Sequence, residues 1–122
     1  MKTSFRPPAL LFGVLLLLGS CNDVTFVDRV IITNDTDYSA TVDVRHDGGG
    51  WLGLTTVPAR QTRTVEEVID RGDSWTFRFA YGSRDPLLIE MSRDQLIDAG
   101  WRVEVPLEFE ENLRDEGVLP PP

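Results

Sequence analysis

The sequence predicts an all-β domain, an antiparallel β-sandwich of about seven strands, over residues 28–106. Apolar and polar residues alternate with period two along most of this stretch, which is typical of strands with one buried face. Turn-forming residues recur about every ten residues, as they do in small sandwiches. The number and spacing of the strands favour an immunoglobulin-like shape, and a small open barrel is the competing architecture.

The clearest strand of the predicted sandwich begins at Tyr38 and ends at Arg45. Its polar residues point one way and its apolar residues the other, the apolar set being Tyr38, Ala40, Val42 and Val44. The other strands are predicted near 28–33, 51–57, 62–69, 75–81, 87–91 and 101–105. Clusters of Asn, Asp and Gly separate several of these strands, because these residues adopt turn conformations at low cost.

Large aromatic residues are the main candidates for the core. We expect burial of Trp51, Trp75, Phe77, Phe79, Tyr81 and Trp101. Four of them alternate strictly along the fifth strand, and large aromatic side chains dominate the cores of small domains. The alternative is that this strand offers a stacking platform for sugars or peptides. The residues between the aromatics are more polar, which favours the core interpretation.

Two helices are predicted beside the strands. Ser92 and Gln95 have the spacing of a capping box, so a short helix is expected near 92–99. A second helix is expected near 108–116, where apolar residues four apart share one face. This helix and a Pro-rich tail make up the C-terminal region 107–122.

The charge balance excludes one class of partner. The chain carries 12 basic and 20 acidic residues, a formal net charge of −8. Nucleic-acid binding needs a basic face for the phosphates, so no nucleic-acid partner is expected. Cys21 is the single cysteine, so neither an intrachain disulfide nor a thiolate metal site is expected.

The N-terminal residues have the pattern of an export signal. Lys2 and Arg6 make a short basic stretch, and residues 9–18 form an apolar run. A membrane-spanning helix needs about 20 apolar residues, so this run is too short to span and suits the centre of a signal peptide. We therefore predict a signal peptide over residues 1–20.

A four-residue motif, Leu-Gly-Ser-Cys at residues 18–21, follows the apolar run. An aliphatic residue, two small residues and a cysteine in this order resemble the lipobox of bacterial lipoproteins. The resemblance, confined to residues 1–21, implies a diacylglyceryl group on Cys21 and cleavage between Ser20 and Cys21. Residues 21–27 would be the lipidated N-terminus and a spacer. The protein would be held at the outer face of the cytoplasmic membrane, or in the periplasm or outer membrane of a cell with two membranes.

Several loop residues could in principle carry chemistry. His46 lies at a glycine-rich hairpin tip, which neither fixes geometry nor excludes water, so we interpret it as a solvated loop residue. The carboxylates that could bind calcium are Asp35, Asp37, Asp43 and Asp47. This stretch lacks the loop glycine and closing glutamate of an EF-hand, so ordinary turn residues are the favoured interpretation.

Two tripeptides match short recognition motifs. Arg71-Gly72-Asp73 spells an integrin-recognition sequence, and Asn34-Asp35-Thr36 is a formal glycosylation sequon. Matches of three residues arise readily by chance, so we attach no function to either. The sequence thus assigns no catalytic, cofactor or metal site.

The functional expectation follows from the anchor, the compact β domain and the lack of a catalytic set. We expect a non-enzymatic interaction or accessory module of the bacterial cell envelope, whose partner is another envelope protein. Such a module would present an exposed apolar patch or an unpaired edge strand. A protein that binds a small ligand such as a sugar or peptide, or calcium, is the first alternative. An undetected hydrolase is the second.

Overall fold

The computed structural model describes residues 25–46 and 49–122. Within these ranges the chain forms seven strands and two helices. In chain order the elements are β1 (Phe26–Asn34), β2 (Ala40–Arg45), β3 (Leu52–Val57), β4 (Gln61–Ile69), β5 (Ser74–Ala80), β6 (Leu87–Ser92), α1 (Arg93–Asp98), β7 (Arg102–Glu104) and α2 (Leu107–Asp115). The predicted all-β fold with two short helices is confirmed. The predicted signal peptide and Cys21 lie outside the described residues.

The strands form two sheets that share one hydrophobic core, as in a β-sandwich. One sheet has the order β3-β2-β5-β6 and the other the order β4-β1-β7. The β1–β7 pair is parallel, so the expectation of a purely antiparallel arrangement is wrong there. β6 ends opposite the start of β5, at the end of the molecule where β1 begins. Because α1 carries the chain from that end to the other sheet, β7 runs in the same direction as β1.

The core confirms most of the aromatic prediction. Trp75, Phe77 and Phe79 are buried between the sheets, and their rings stack along β5 with centroids 6.1 and 6.5 Å apart. Tyr81 and Trp101 are partly buried against the same cluster. The aromatic strand is therefore a core element and not a binding platform.

Trp51 is the exception among the predicted core aromatics. It precedes β3 and lies on the outer face of the four-stranded sheet, between arginines of β2 and β5. The guanidinium carbons of Arg45 and Arg78 lie 4.6 and 4.2 Å from its ring centroid. Leu52 and Leu54 pack against the core instead, so the expectation that Trp51 belongs to the core is wrong.

Both helices agree with the prediction to within a residue or two. The Ser92 hydroxyl accepts a hydrogen bond from the Gln95 N–H at 3.1 Å, and the Ser92 N–H donates to the Gln95 side-chain oxygen at 2.8 Å. This is the predicted capping box of α1. α2 buries Phe109 and Leu113, which belong to the same core cluster as the strands. The C-terminal helix is thus packed into the domain.

β1 begins two residues earlier than predicted. Residues up to 27 are expected to be spacer, yet Phe26 and Val27 pair with Ile69 and Val68 of β4. Burial of Val27 and Val68 explains the longer strand, because apolar residues on both strands remove surface from water there.

An irregularity interrupts the start of this strand pair. Asp28 and Arg29 are both exposed, and the buried positions change phase between Val27 and Val30. On β4, Glu67 has φ of 54°, a left-handed conformation that costs an L-residue roughly 1–2 kcal/mol. The backbone of β4 is therefore strained at an exposed position.

Glycine should relieve the strain at position 67. We expect Glu67→Gly to be as stable as the parent protein or up to about 1 kcal/mol more stable, because glycine adopts positive φ without a steric penalty. The matched control Glu66→Gly, at a neighbouring position without positive φ, should lose about 0.5–1 kcal/mol. Urea unfolding followed by circular dichroism measures both. Equal losses in the two variants would contradict the strain argument.

Candidate functional site

The candidate functional site is an open strand edge on β1. β4 pairs with β1 from Phe26 to Asn34, whereas β7 pairs only with Ile31–Thr33. In the described part of the chain no second strand covers residues 26–30 on the β7 side. An unpaired edge exposes backbone donors and acceptors to which another polypeptide can bind.

The turn before β7 explains why this edge stays open. Gly100 and Trp101 both have positive φ, 66° and 60°. The Trp101 N–H donates to the Leu96 carbonyl at 2.8 Å, and the Trp101 carbonyl accepts from the Ile31 N–H at 2.9 Å. The turn at Gly100 and Trp101 therefore keeps the backbone against α1, and the chain first pairs with β1 at Ile31. This segment cannot pair with residues 26–30 of β1.

Trp101 holds a backbone conformation that bulky residues avoid. Its left-handed φ costs roughly 1–2 kcal/mol, so other contacts have to compensate. The ring packs edge-on against Trp75 with centroids 5.3 Å apart, and the Arg93 guanidinium carbon lies 5.6 Å from its centroid. Strain of this kind is concentrated at functional sites in proteins. The sequence offers one signal for it, a tryptophan directly after the glycine that ends a helix.

A groove of about 330 Å³ runs beside the open edge. Its lining consists of Val27, Asp28, Arg29, Ile31, Gly100 and Trp101. The aromatic ring and the aliphatic residues can hold an apolar side chain, and the exposed charges can bind polar groups at the rim. Together with the strand edge, this chemistry suits an extended polypeptide segment.

A second depression, of about 290 Å³, lies on the outer face of the four-stranded sheet. Small residues such as Thr41 and Ala80 line it, beside an ion pair between Arg78 and Asp43. Arg78 donates two hydrogen bonds to one Asp43 oxygen, at 3.0 and 2.7 Å. The charge of Asp43 is thus compensated by a cation of the protein itself, which makes it a poor calcium ligand.

Asp37, another carboxylate considered as a calcium ligand, is also paired with arginines. Asp37 accepts hydrogen bonds from Arg60 at 2.9 Å and from Arg114 at 2.8 Å. The bond from Arg60, aided by the charges of both arginines, holds the pKa of Asp37 below its ordinary value. Asp35 is exposed, and Asp47 lies outside the described residues. In the ranges that the structure describes, no three metal-ligating side chains converge.

The sequon asparagine has a structural role. Asn34 has no exposed surface. Its amide nitrogen donates to the carbonyls of Tyr38, Val57 and Pro58, and its side-chain oxygen accepts from the Thr36 N–H and hydroxyl. These bonds join the β1–β2 turn to the β3–β4 turn. No glycan can be attached to this side chain in the folded domain.

The remaining predicted motifs lie in exposed turns. His46 is exposed, and its ring lies against Gly49, where a Cβ atom would collide with it. Gly72 is at the β4–β5 turn, and its N–H donates to Asp70 at 2.8 Å. Burial acts to raise the pKa of Asp70, but the hydrogen bonds from Arg93 and Gly72 outweigh it and lower that pKa.

Comparison with known proteins identifies no relative. No protein-family model, curated protein or solved structure matches the chain. Along the described residues, no helix has the length and apolar character needed to cross a membrane.

Proposed function

We propose that this protein is a lipid-anchored lipoprotein of the bacterial cell envelope, held by Cys21, whose β domain is a non-enzymatic interaction module. Its partner is another envelope protein, and the module binds an extended segment of that partner along the open edge of β1. The observation that carries this proposal is the unpaired stretch of β1 at residues 26–30 beside the groove.

The anchor part of the proposal rests on the N-terminal sequence. The basic stretch, the short apolar run and the motif at residues 18–21 supply the three parts of a lipoprotein signal. One acyl chain binds a membrane only marginally, whereas two hold a protein stably. A diacylglyceryl group on Cys21 would therefore be sufficient to keep the domain at the membrane. The acidic charge of the chain argues against a nucleic-acid partner.

A polypeptide segment added as a strand beside β1 would use both the unpaired backbone of β1 and the groove next to it. The backbone of an added segment would take up the hydrogen-bonding groups that β1 leaves unpaired, which supplies affinity. Alternate side chains of that segment would point toward the groove, where Trp101 and Ile31 offer apolar contacts. Asp28 and Arg29, exposed at the rim, would restrict which charged residues fit. The immunoglobulin-like class of the sandwich stays a prediction, and strand addition does not depend on it.

A second candidate function is small-ligand binding in the depression on the four-stranded sheet. The polar groups of Thr41, Ser83 and Arg84 in its lining are suited to a sugar or a short peptide. We do not propose calcium binding, because Asp37 and Asp43 are both paired with arginines.

Photo-crosslinking in cells tests the leading proposal. Benzoylphenylalanine replaces Arg29 beside the groove or, as the control, Arg63 on β4 at the opposite edge of the same sheet. We expect position 29 to give one discrete adduct that mass spectrometry identifies as an envelope protein. Position 63 should not give this adduct. Cys21→Ser should abolish the adduct at position 29, because the unanchored protein no longer meets its partner. Equal adducts at both positions, or none at position 29 in protein found at the membrane, would contradict binding at the β1 edge.

A further inference from the structure

An exposed apolar residue marks the end of the domain where β1 begins. Phe26 is 57% exposed, and it pairs across the strands with Ile69. Arg71 follows Ile69 by two residues and donates a hydrogen bond from its Nε to the Ile69 carbonyl at 3.2 Å. We refer to Phe26, Ile69 and Arg71 as the β1-start patch. It combines an aromatic ring, an aliphatic side chain and a cation.

The covalent chain places this patch close to the lipidated cysteine. Phe26 follows Cys21 by five residues, and a fully extended chain spans at most about 3.3–3.6 Å per residue. The Cα of Phe26 therefore lies no more than about 18 Å from the Cys21 Cα, whatever path the chain takes. β1 itself has nine residues, so its far end lies about 27 Å from its start.

The far end of the domain carries an acidic helix. The turn after β1, the loop between β5 and β6 and helix α2 meet there through the ion pairs Asp37–Arg114 and Arg84–Glu116. The acids of α2 are Glu108, Glu110, Glu111 and Asp115, against one arginine. An acidic helix is repelled by an anionic bilayer surface.

We propose that the β1-start patch rests on the bilayer that holds the Cys21 lipid, with α2 and the β5–β6 loop directed away from the membrane. This inference rests on the proposed lipid anchor. Aromatic side chains are favoured at the membrane–water interface, and the guanidinium of Arg71 can reach lipid phosphates. The open edge of β1 starts at this patch. The segment that binds there therefore belongs to a partner whose chain passes close to the membrane surface.

Fluorescence quenching in vesicles tests this orientation. The full lipidated protein carries one added cysteine, at Asp73 beside the patch or at Ser83 in the β5–β6 loop, labelled with a fluorophore. Cys21 does not react because its sulfur carries the lipid. The protein is reconstituted in phosphatidylcholine–phosphatidylglycerol vesicles that contain spin-labelled lipid. We expect several-fold stronger quenching at position 73 than at position 83. Phe26→Ser should weaken the quenching at position 73. Leu107→Ser, at a 65% exposed position on α2, should leave it unchanged.

The possible outcomes separate the orientation from the anchor. Equal quenching at the two positions, in protein that floats with the vesicles, would overturn the orientation and leave the anchor intact. Stronger quenching at position 73 that Phe26→Ser leaves unchanged would show that the tether alone brings this end near, and would overturn the contact of the patch. Protein that does not float with the vesicles would overturn the proposed anchor, and the orientation with it.

Discussion

Replacement of Trp75 with alanine should cost about 3–5 kcal/mol of unfolding free energy, the usual loss when a large buried aromatic is removed. Trp75 has no exposed surface. Its ring contacts Phe77 and Trp101, and its indole N–H donates to the Gly72 carbonyl at 2.9 Å. The substitution therefore leaves a cavity between the sheets and removes the hydrogen bond to the β4–β5 turn. Because small domains are stable by only about 5–15 kcal/mol, the loss is a large share of the total.

Trp51 provides a matched control for this prediction. It has the same side chain, but it lies on the outer face of a sheet and its neighbours are two arginines. Trp51→Ala should cost about 1 kcal/mol, the order of an exposed cation–π contact. If Trp75→Ala does not fold, Phe77→Leu remains measurable, because it keeps a large apolar side chain in the core and removes much less volume than truncation to alanine. Urea unfolding with circular dichroism compares the variants. Similar losses for Trp51→Ala and Trp75→Ala would refute the assignment of the aromatic strand to the core.

Conversion of Asn34 to aspartate should be nearly as damaging. The Asn34 amide nitrogen lies 2.8, 3.0 and 3.2 Å from the carbonyl oxygens of Tyr38, Val57 and Pro58. In Asn34→Asp a carboxylate oxygen faces those three carbonyls, so the hydrogen bonds are lost and the negative charge meets three partial negative charges. An uncompensated charge at a buried position costs about 3–5 kcal/mol. We expect a loss of that size at pH 7.

The pH dependence of the stability of Asn34→Asp shows whether the loss comes from the buried negative charge or from the changed hydrogen-bonding shape of the side chain. Burial and the neighbouring carbonyls raise the pKa of the new carboxyl in the folded state above its unfolded value. The folded state therefore binds a proton more tightly, and the deficit relative to the parent protein shrinks as the pH falls from 7 toward 4. Asp35→Asn, at the exposed neighbouring position, should change the stability by less than about 0.5 kcal/mol. A deficit for Asn34→Asp that is the same at pH 4 and pH 7 would argue against the buried-charge explanation.

Local features of this protein could be read directly from the sequence. The alternation along β2 and β5 predicts which residues face the core, because successive side chains of a strand point to opposite faces. The capping box at Ser92 and Gln95 depends on residues three apart in the chain, so it needs no knowledge of the rest of the fold. The acidic charge is likewise a property of composition. The lipid anchor at Cys21 is a prediction from a linear motif, and it awaits its test.

Contacts between distant segments were decided only by the tertiary structure. The sequence shows that residues 101–105 can form a strand. That strand is parallel to β1 because β6 ends at the same end of the molecule where β1 begins. The open edge exists because Trp101 is folded back onto α1, and no periodicity reports a backbone angle of that kind. The structural role of Asn34 cannot be predicted from the sequence, since its partners Val57 and Pro58 are more than twenty residues away. Strand periodicity and helix caps are properties of neighbours in the chain, whereas strand order, edge exposure and buried hydrogen bonds depend on which distant segments pack together.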